Sequence, residues 1–338
     1  MTSAIKGRSM MRRRIFVIVA VLLVASTALC VANSSHRNAR SVTPANAVGI
    51  AWSASSSNVS SADAHALPPS ARSVATLASN VVLTSPVTND AVSRQPSLRF
   101  RRYAHYPVGR IDAAQPSGRA PPASGAMAGF RLIYQNGFTG DSLPSGWVPY
   151  SGVPSGDAGG QFSPSHVVVN NGLLTLNTWQ DPSFNNEWVT GGLCQCGVAR
   201  TYGAYFVRSR VTGAGPTAVE LLWPVAHVWP PEIDFSETGG QTSSSSATLH
   251  FASANQFVQR QVSVDMTQWH TWGVIWTPTS VLYTVDGKIW GEVNASTEVP
   301  HQPMTLDLQQ QTWCAAGWAC PTTPQSLQVD WVAEYAPA

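Results

Sequence analysis

From Phe130 onward the chain breaks into short runs in which apolar and polar residues alternate. FRLIYQ (130–135), HVVVNNGLLTLNTW (166–179), AYFVRSRVTG (204–213), AVELLWPV (218–225), EIDFSE (232–237), ATLHFAS (247–253), WHTWGVIWTP (269–278), SVLYTVDGKIWGEV (280–293), MTLDLQQQTW (304–313) and LQVDWVAEY (327–335) all read this way. A period of two, with many Val, Ile, Thr, Tyr and Trp, predicts half-buried strands. Val285-Asp286-Gly287 before KIW is a hairpin turn signal. No segment carries a long apolar stripe of helical period. Roughly ten to fourteen short strands predict an all-β fold, an antiparallel β-sandwich of jelly-roll type.

The preceding hundred or so residues differ. Residues 33–130 are rich in Ala, Ser, Val and Pro and hold only Trp52 of the 13 tryptophans. Neither period persists, which predicts a disordered linker. Its last part, RFRRYAHYPVGR (99–110), mixes arginine with aromatics and reads as a solvated basic tether. Before the linker, Lys6, Arg8, Arg12, Arg13 and Arg14 lead into IFVIVAVLLVASTALCVA, residues 15–32. A basic start, an apolar stretch and small residues predict an export signal, with Ala32 as a cleavage point. The run is also nearly long enough to stay in a membrane as an anchor. Both readings put the remaining chain outside the cytoplasm, secreted or at the cell surface. Three segments are therefore expected: 1–32, 33–130 and a folded domain over 131–338. Net charge is +2 with 11% charged residues, so nothing here calls for a nucleic-acid partner.

Cys30 lies in the export segment, leaving Cys194, Cys196, Cys314 and Cys320. An even number in an exported domain predicts disulfides. Cys314–Cys320 closes a short loop, and a second bridge falls at Cys194/Cys196. The spacing does not suit the usual zinc ligand pairs.

The chemistry concentrates in WPPEIDFSE, residues 229–237, where a charge-poor chain places Glu232, Asp234 and Glu237 within six positions. On a strand Glu232 and Asp234 share a face. Glu237 has the wrong parity, and one bulge at Phe235–Ser236 would restore it. Three carboxylates on one face raise at least one pKa, so a carboxylic acid can persist beside a carboxylate. That pair is the equipment for glycoside hydrolysis. A solvated strand does not suit Pro230, Pro231, Ile233 and Phe235, and the run lacks the glycine of a calcium loop.

At these residues the sequence resembles glycoside hydrolase family 16, whose signature is Glu-x-Asp-x-x-Glu. LIYQNGFTGDSLPSGW (132–147), YGAYFVRSRVTG (202–213), LLWPV (221–225), WHTWGVIWTPTSVLYTVDGK (269–288), PMTLDLQQQ (303–311) and VDWVAEY (329–335) resemble further family segments in the right order. The resemblance covers residues 131–338, and the six-residue signature is similar to the laminarinase-like branch. It implies a concanavalin-like jelly-roll with a long open cleft and endo-acting, retaining cleavage of β-linked glucans or galactans; the leading expectation is a monomer that cleaves β-1,3- or mixed β-1,3-1,4-glucan. Glu232 matches the nucleophile, Asp234 the assisting aspartate and Glu237 the acid/base. Trp223 matches a sugar-stacking tryptophan and His250 a histidine near the acid/base, with core packing the alternative for each, and Gln309 and Gln311, alternating on one strand, are placed to hydrogen-bond sugar hydroxyls. Trp229, Trp313, Trp188 and Trp318 are further cleft candidates. No cofactor is implied for catalysis. A structural calcium is implied, with Asp330 matching its aspartate and Gly172 a carbonyl donor. CQCG (194–197) and QQQTWCAAGWAC (309–320) depart from the family pattern, so substrate choice is open. A transglycosylase or a non-catalytic glucan-binding protein remains an alternative expectation.

Overall fold

The computed structural model describes residues 106–338. The predicted signal or anchor, and the linker as far as residue 105, lie outside the described residues. In chain order the strands are β1 (Arg110–Ile111), β2 (Arg119–Ala120), β3 (Phe130–Asn136), β4 (Val148–Pro149), β5 (Val167–Asn170) and β6 (Leu173–Asp181). Then come β7 (Glu187–Thr190), β8 (Gly192–Cys194), β9 (Gly203–Val211), β10 (Thr217–Pro224), β11 (Glu232–Glu237) and β12 (Ser244–Phe251). The rest are β13 (Gln256–Ser263), β14 (His270–Trp276), β15 (Val281–Val285), β16 (Lys288–Val293), β17 (Met304–Gln311) and β18 (Gln325–Pro337). Helix is limited to three single turns among the described residues.

Two antiparallel sheets carry the fold. A seven-stranded sheet runs β13-β12-β11-β10-β17-β8-β4. A nine-stranded sheet runs β16-β15-β14-β9-β18-β6-β5, with β3 added to β18 and β7 to β6. Alternation puts one apolar row of each strand between the sheets. Leu222, Ile233, Phe235, Leu249, Leu306 and Leu308 come from the first sheet, and Val207, Trp272, Val274, Leu327 and Val329 from the second. This is the β-sandwich that the alternation predicts.

The nine-stranded sheet is apolar on its outer face too. Ala204, Phe206, Ile275, Trp331, Ala333 and Tyr335 cluster there with Tyr106, Met127 and Phe130. Residues 106–130 thus cover apolar surface that water would otherwise wet. Gly109 marks how close the segment runs, since a Cβ there would come 2.5 Å from the Ala120 carbonyl oxygen and 3.0 Å from the Trp331 ring. Residues 106–130, expected to belong to the linker, are therefore part of the folded unit. A few separated anchors such as Tyr106 and Met127 do the packing, and these leave no periodic signal.

Both expected bridges form. Cys194 and Cys196 are bonded across a Cα–Cα distance of 5.0 Å, and Cys314 and Cys320 across 4.6 Å.

Candidate active site

β11 lies mid-sheet between β10 and β12, and register decides what its side chains do. Leu222 pairs with Ile233, and both belong to the core. The alternate row, with Leu221 opposite Asp234, points away from the core. On the other side Glu232 pairs with His250 and Asp234 with Thr248, but Glu237 pairs with Ser246. Three steps along β11 match two along β12, so one residue is extra: a bulge. Phe235 is in the core, and Ser236 sits opposite the core-facing Glu220. Two successive inward residues return Glu237 to the face of Glu232 and Asp234. The Glu237 N–H donates to Ser245 Oγ at 3.0 Å, and Ser245 Oγ lies 3.2 Å from Ser236 Oγ, which fixes the irregular turn of chain.

The carboxylates are poorly hydrated. Asp234 is 4% exposed, and Glu232 and Glu237 are half-buried. Burial pushes Glu232 well up from the usual carboxylate range, and the neighbouring Asp234 charge adds to this. Asp234 is raised by burial and then by Glu237, and Glu237 is raised by burial. Three groups that cannot all ionise cheaply hold an acid and a base side by side.

Two neighbours favour negative charge. The Trp229 indole N–H donates to Glu232 Oε2 at 2.8 Å. His250 Nε2 is 3.5 Å from Asp234 Oδ2, while Nδ1 faces Asn255 Oδ1 at 2.8 Å. His250 therefore sits beside the aspartate and opposite Glu232, where it offsets the rise of both glutamates. The sequence places it near Glu237, and the register adds its contact with Asp234. Trp229 lies 5.5 Å from the His250 ring and is 38% exposed, so it can both touch Glu232 and meet a ligand.

Trp223 pairs with Thr305, Val219 with Gln309, and Thr217 with Gln311, which puts all three candidates on the carboxylate face. Trp318, on the loop closed by Cys314–Cys320, stacks at 5.2 Å on Trp313 just before that loop, past the end of β17. Trp188 belongs to β7, which pairs with β6 of the nine-stranded sheet, so its strand does not line the carboxylate face. Its neighbours in sequence look strand-like, but one sequence does not say which sheet takes them. Asp307 and Tyr150 are also on this face and were not anticipated. The signal for Asp307 was its phase with Gln309 and Gln311.

The site implied for calcium is partly furnished. Asp330 is buried, its Oδ2 accepts from Ser117 Oγ, and its Oδ1 has no hydrogen-bond partner. A lone buried carboxylate oxygen suits a hard cation. Gly172 is at φ +75° and lies against Pro116, next to Ser117. Arg208 Nε donates to Ser117 Oγ at 2.7 Å, so a guanidinium already brings positive charge nearby.

A bulged strand with three outward carboxylates in an antiparallel sandwich is a specific arrangement. The model of glycosyl hydrolases family 16 matches residues 157–333, just over half of the chain. The chain belongs to glycosyl hydrolases family 16. Endo-1,3-1,4-beta-glycanase ExsH of Rhizobium meliloti (strain 1021) is 27% identical over 183 residues, 47% of this chain and 39% of that protein. The match thus spans well under half of that curated relative. The catalytic domain of a Thermotoga petrophila endo-1,3-beta-glucanase superposes with TM-score 0.54 at 17% identity, over 62% of this chain and 98% of the other. The Rhodothermus marinus laminarinase does so with TM-score 0.54 at 19% identity, over 62% and 98%. At these identities the structures speak for the family 16 fold.

Proposed function

We propose that this family 16 chain is an exported, retaining endo-β-glucanase acting on β-1,3- or mixed β-1,3-1,4-glucan. The observation that carries the proposal is the bulged β11, which aims Glu232, Asp234 and Glu237 at one face. Relatives named for 1,3- and 1,3-1,4-glycan cleavage supply the substrate class. In this reading Glu232, in its carboxylate form, attacks the anomeric carbon while Glu237, in its carboxylic acid form, donates to the leaving oxygen. The glycosyl ester forms as the glycosidic bond breaks. Glu237, now ionised, takes a proton from water, which displaces Glu232. Asp234 and Trp229 hydrogen-bond or charge-couple to Glu232 and orient it. Export rests on the basic-then-apolar start and on the two bridged cysteine pairs.

The test is release of reducing ends from laminarin and barley glucan, with agarose and carrageenan as contrasts. Glu232→Ala should lower turnover at least about 10⁴-fold while retaining glucan binding. Undiminished turnover in that variant, or no cleavage of any β-glucan by the parent chain, would sink the proposal. Products longer than the donor would point instead to sugar transfer.

A further inference from the structure

Asp307 is hard to account for by folding. It sits on β17 between Leu221 of β10 and Cys194 of β8, in the register row that contains Asp234. Paired residues of adjacent antiparallel strands share a face, so Asp307 faces the cleft two strands from Asp234, about 10 Å away. It is 4% exposed. An uncharged residue would sit there at lower cost, since burial pushes this carboxyl up to about 7 even against the hydrogen bonds from Tyr150 and Thr305.

Its partners explain the arrangement. Thr305 Oγ1 donates to Asp307 Oδ1 at 2.7 Å, and the Tyr150 hydroxyl donates to Oδ2. Tyr150 is only half-buried. Its ring is seated over Gly192, where a Cβ would come 2.7 Å from Tyr150 Cδ2 and 2.9 Å from the Phe162 ring. Its N–H donates to the Gly192 carbonyl at 2.8 Å, and Phe162 flanks it at 5.3 Å. The phenol is close enough to Glu232 to feel its charge. A glycine seat, an aromatic wall and a buried acceptor thus fix one tyrosine beside the reacting centre.

We propose that Tyr150 is a sugar-contacting specificity residue and that Asp307 is its positioning residue. With its hydrogen committed to Asp307, the phenol oxygen accepts from a hydroxyl of the sugar lying between Glu232 and β8. The inference rests on the glucanase reading above. It assigns a contact to the half of the cleft away from β12.

The experiment compares the parent chain with Tyr150→Phe, Asp307→Asn and the double variant, using laminarihexaose as probe. Both kinetics and calorimetric binding are read, the latter in a Glu232→Gln background. Tyr150→Phe should raise KM and weaken binding about tenfold with a smaller change in kcat, as for loss of one substrate hydrogen bond. Asp307→Asn should do nearly the same, and the double variant should lose no more than Tyr150→Phe alone. Additive losses, or a fall in kcat with KM and binding unchanged, would overturn it. So would a folded Tyr150→Phe that matches the parent while the parent cleaves glucan. A parent that neither cleaves nor binds the probe overturns this inference and the glucanase reading together.

Discussion

Asp234 and Glu220 are buried carboxylates on adjacent strands of one sheet, pointing to opposite faces. Glu220 is 2% exposed in the core, and burial pushes it up to about 8. Its Oε1 accepts from Ser209 Oγ across the sandwich, and its Oε2 has no partner. Asp234 is as deeply buried and also strongly raised, but Glu232, Glu237 and His250 surround it. A perturbed pKa is common to both, so perturbation does not distinguish chemistry from packing. Convergence of titrating groups on an open face does.

The most severe way to break the contrast is to move Glu237 across the sheet. Inserting one residue between Phe235 and Ser236 changes the parity of everything after it and turns the glutamate toward Glu220. Activity should fall on the order of 10³-fold, the usual worth of a general acid. Deleting Ser236 removes the bulge, leaves the parity correct and should keep measurable turnover. Equal rates in the two variants would mean that register does not govern the site.

That parity was visible in the sequence, and so were the strands, because period-two alternation is a direct imprint of a face buried on one side. Trp188 and Asp307 show where this imprint ends. EWVT reads polar, apolar, apolar, polar and carries no alternation, and its sheet membership is set by long-range pairing. Asp307 alternates correctly in TLDLQQQ, but its value lies in Tyr150, 157 residues earlier. Tyr106 and Met127 were illegible for a further reason: isolated anchors on an outer face have no period at all.

A milder perturbation keeps the carboxylates and removes a donor. Trp229→Phe deletes the N–H that Glu232 accepts. The charged form then loses support, so deprotonation of Glu232 requires higher pH. The acidic limb of kcat/KM should move upward, with a loss of about tenfold at the optimum. An unmoved limb would mean that the indole serves the sugar alone.

Glu220→Gln tests the other side of the comparison. A carboxyl raised from 4.5 to about 8 in the fold contributes stability that is complete below about pH 4.5 and is lost as pH rises through 8. The parent Tm should therefore fall between pH 5 and pH 9. Glu220→Gln should reduce that fall by about 5 °C or more while leaving kcat unchanged. A catalytic defect in this variant would erase the distinction between the two faces.

The smallest effect concerns a third buried carboxylate, Asp330, at the register shift of β18 between Val329 and Trp331. Burial raises it to about 6, against the opposing pull of Ser117 and Arg208. Like Glu220 it has one oxygen without a hydrogen-bond partner, but this one lies beside the segment that covers the outer face, and the charge of Asp112 in that segment adds to the rise. Calcium bound there would tie the 106–130 segment to the sheet through Asp330 Oδ1. Adding calcium to chelator-treated protein should then raise Tm by a few degrees, and Asp330→Asn should abolish the rise without changing the triad's pH profile. If calcium leaves Tm unmoved, Arg208 is the cation that this carboxylate was built to meet, and Asp330 belongs with Glu220 as a carboxylate of the fold and not of a site.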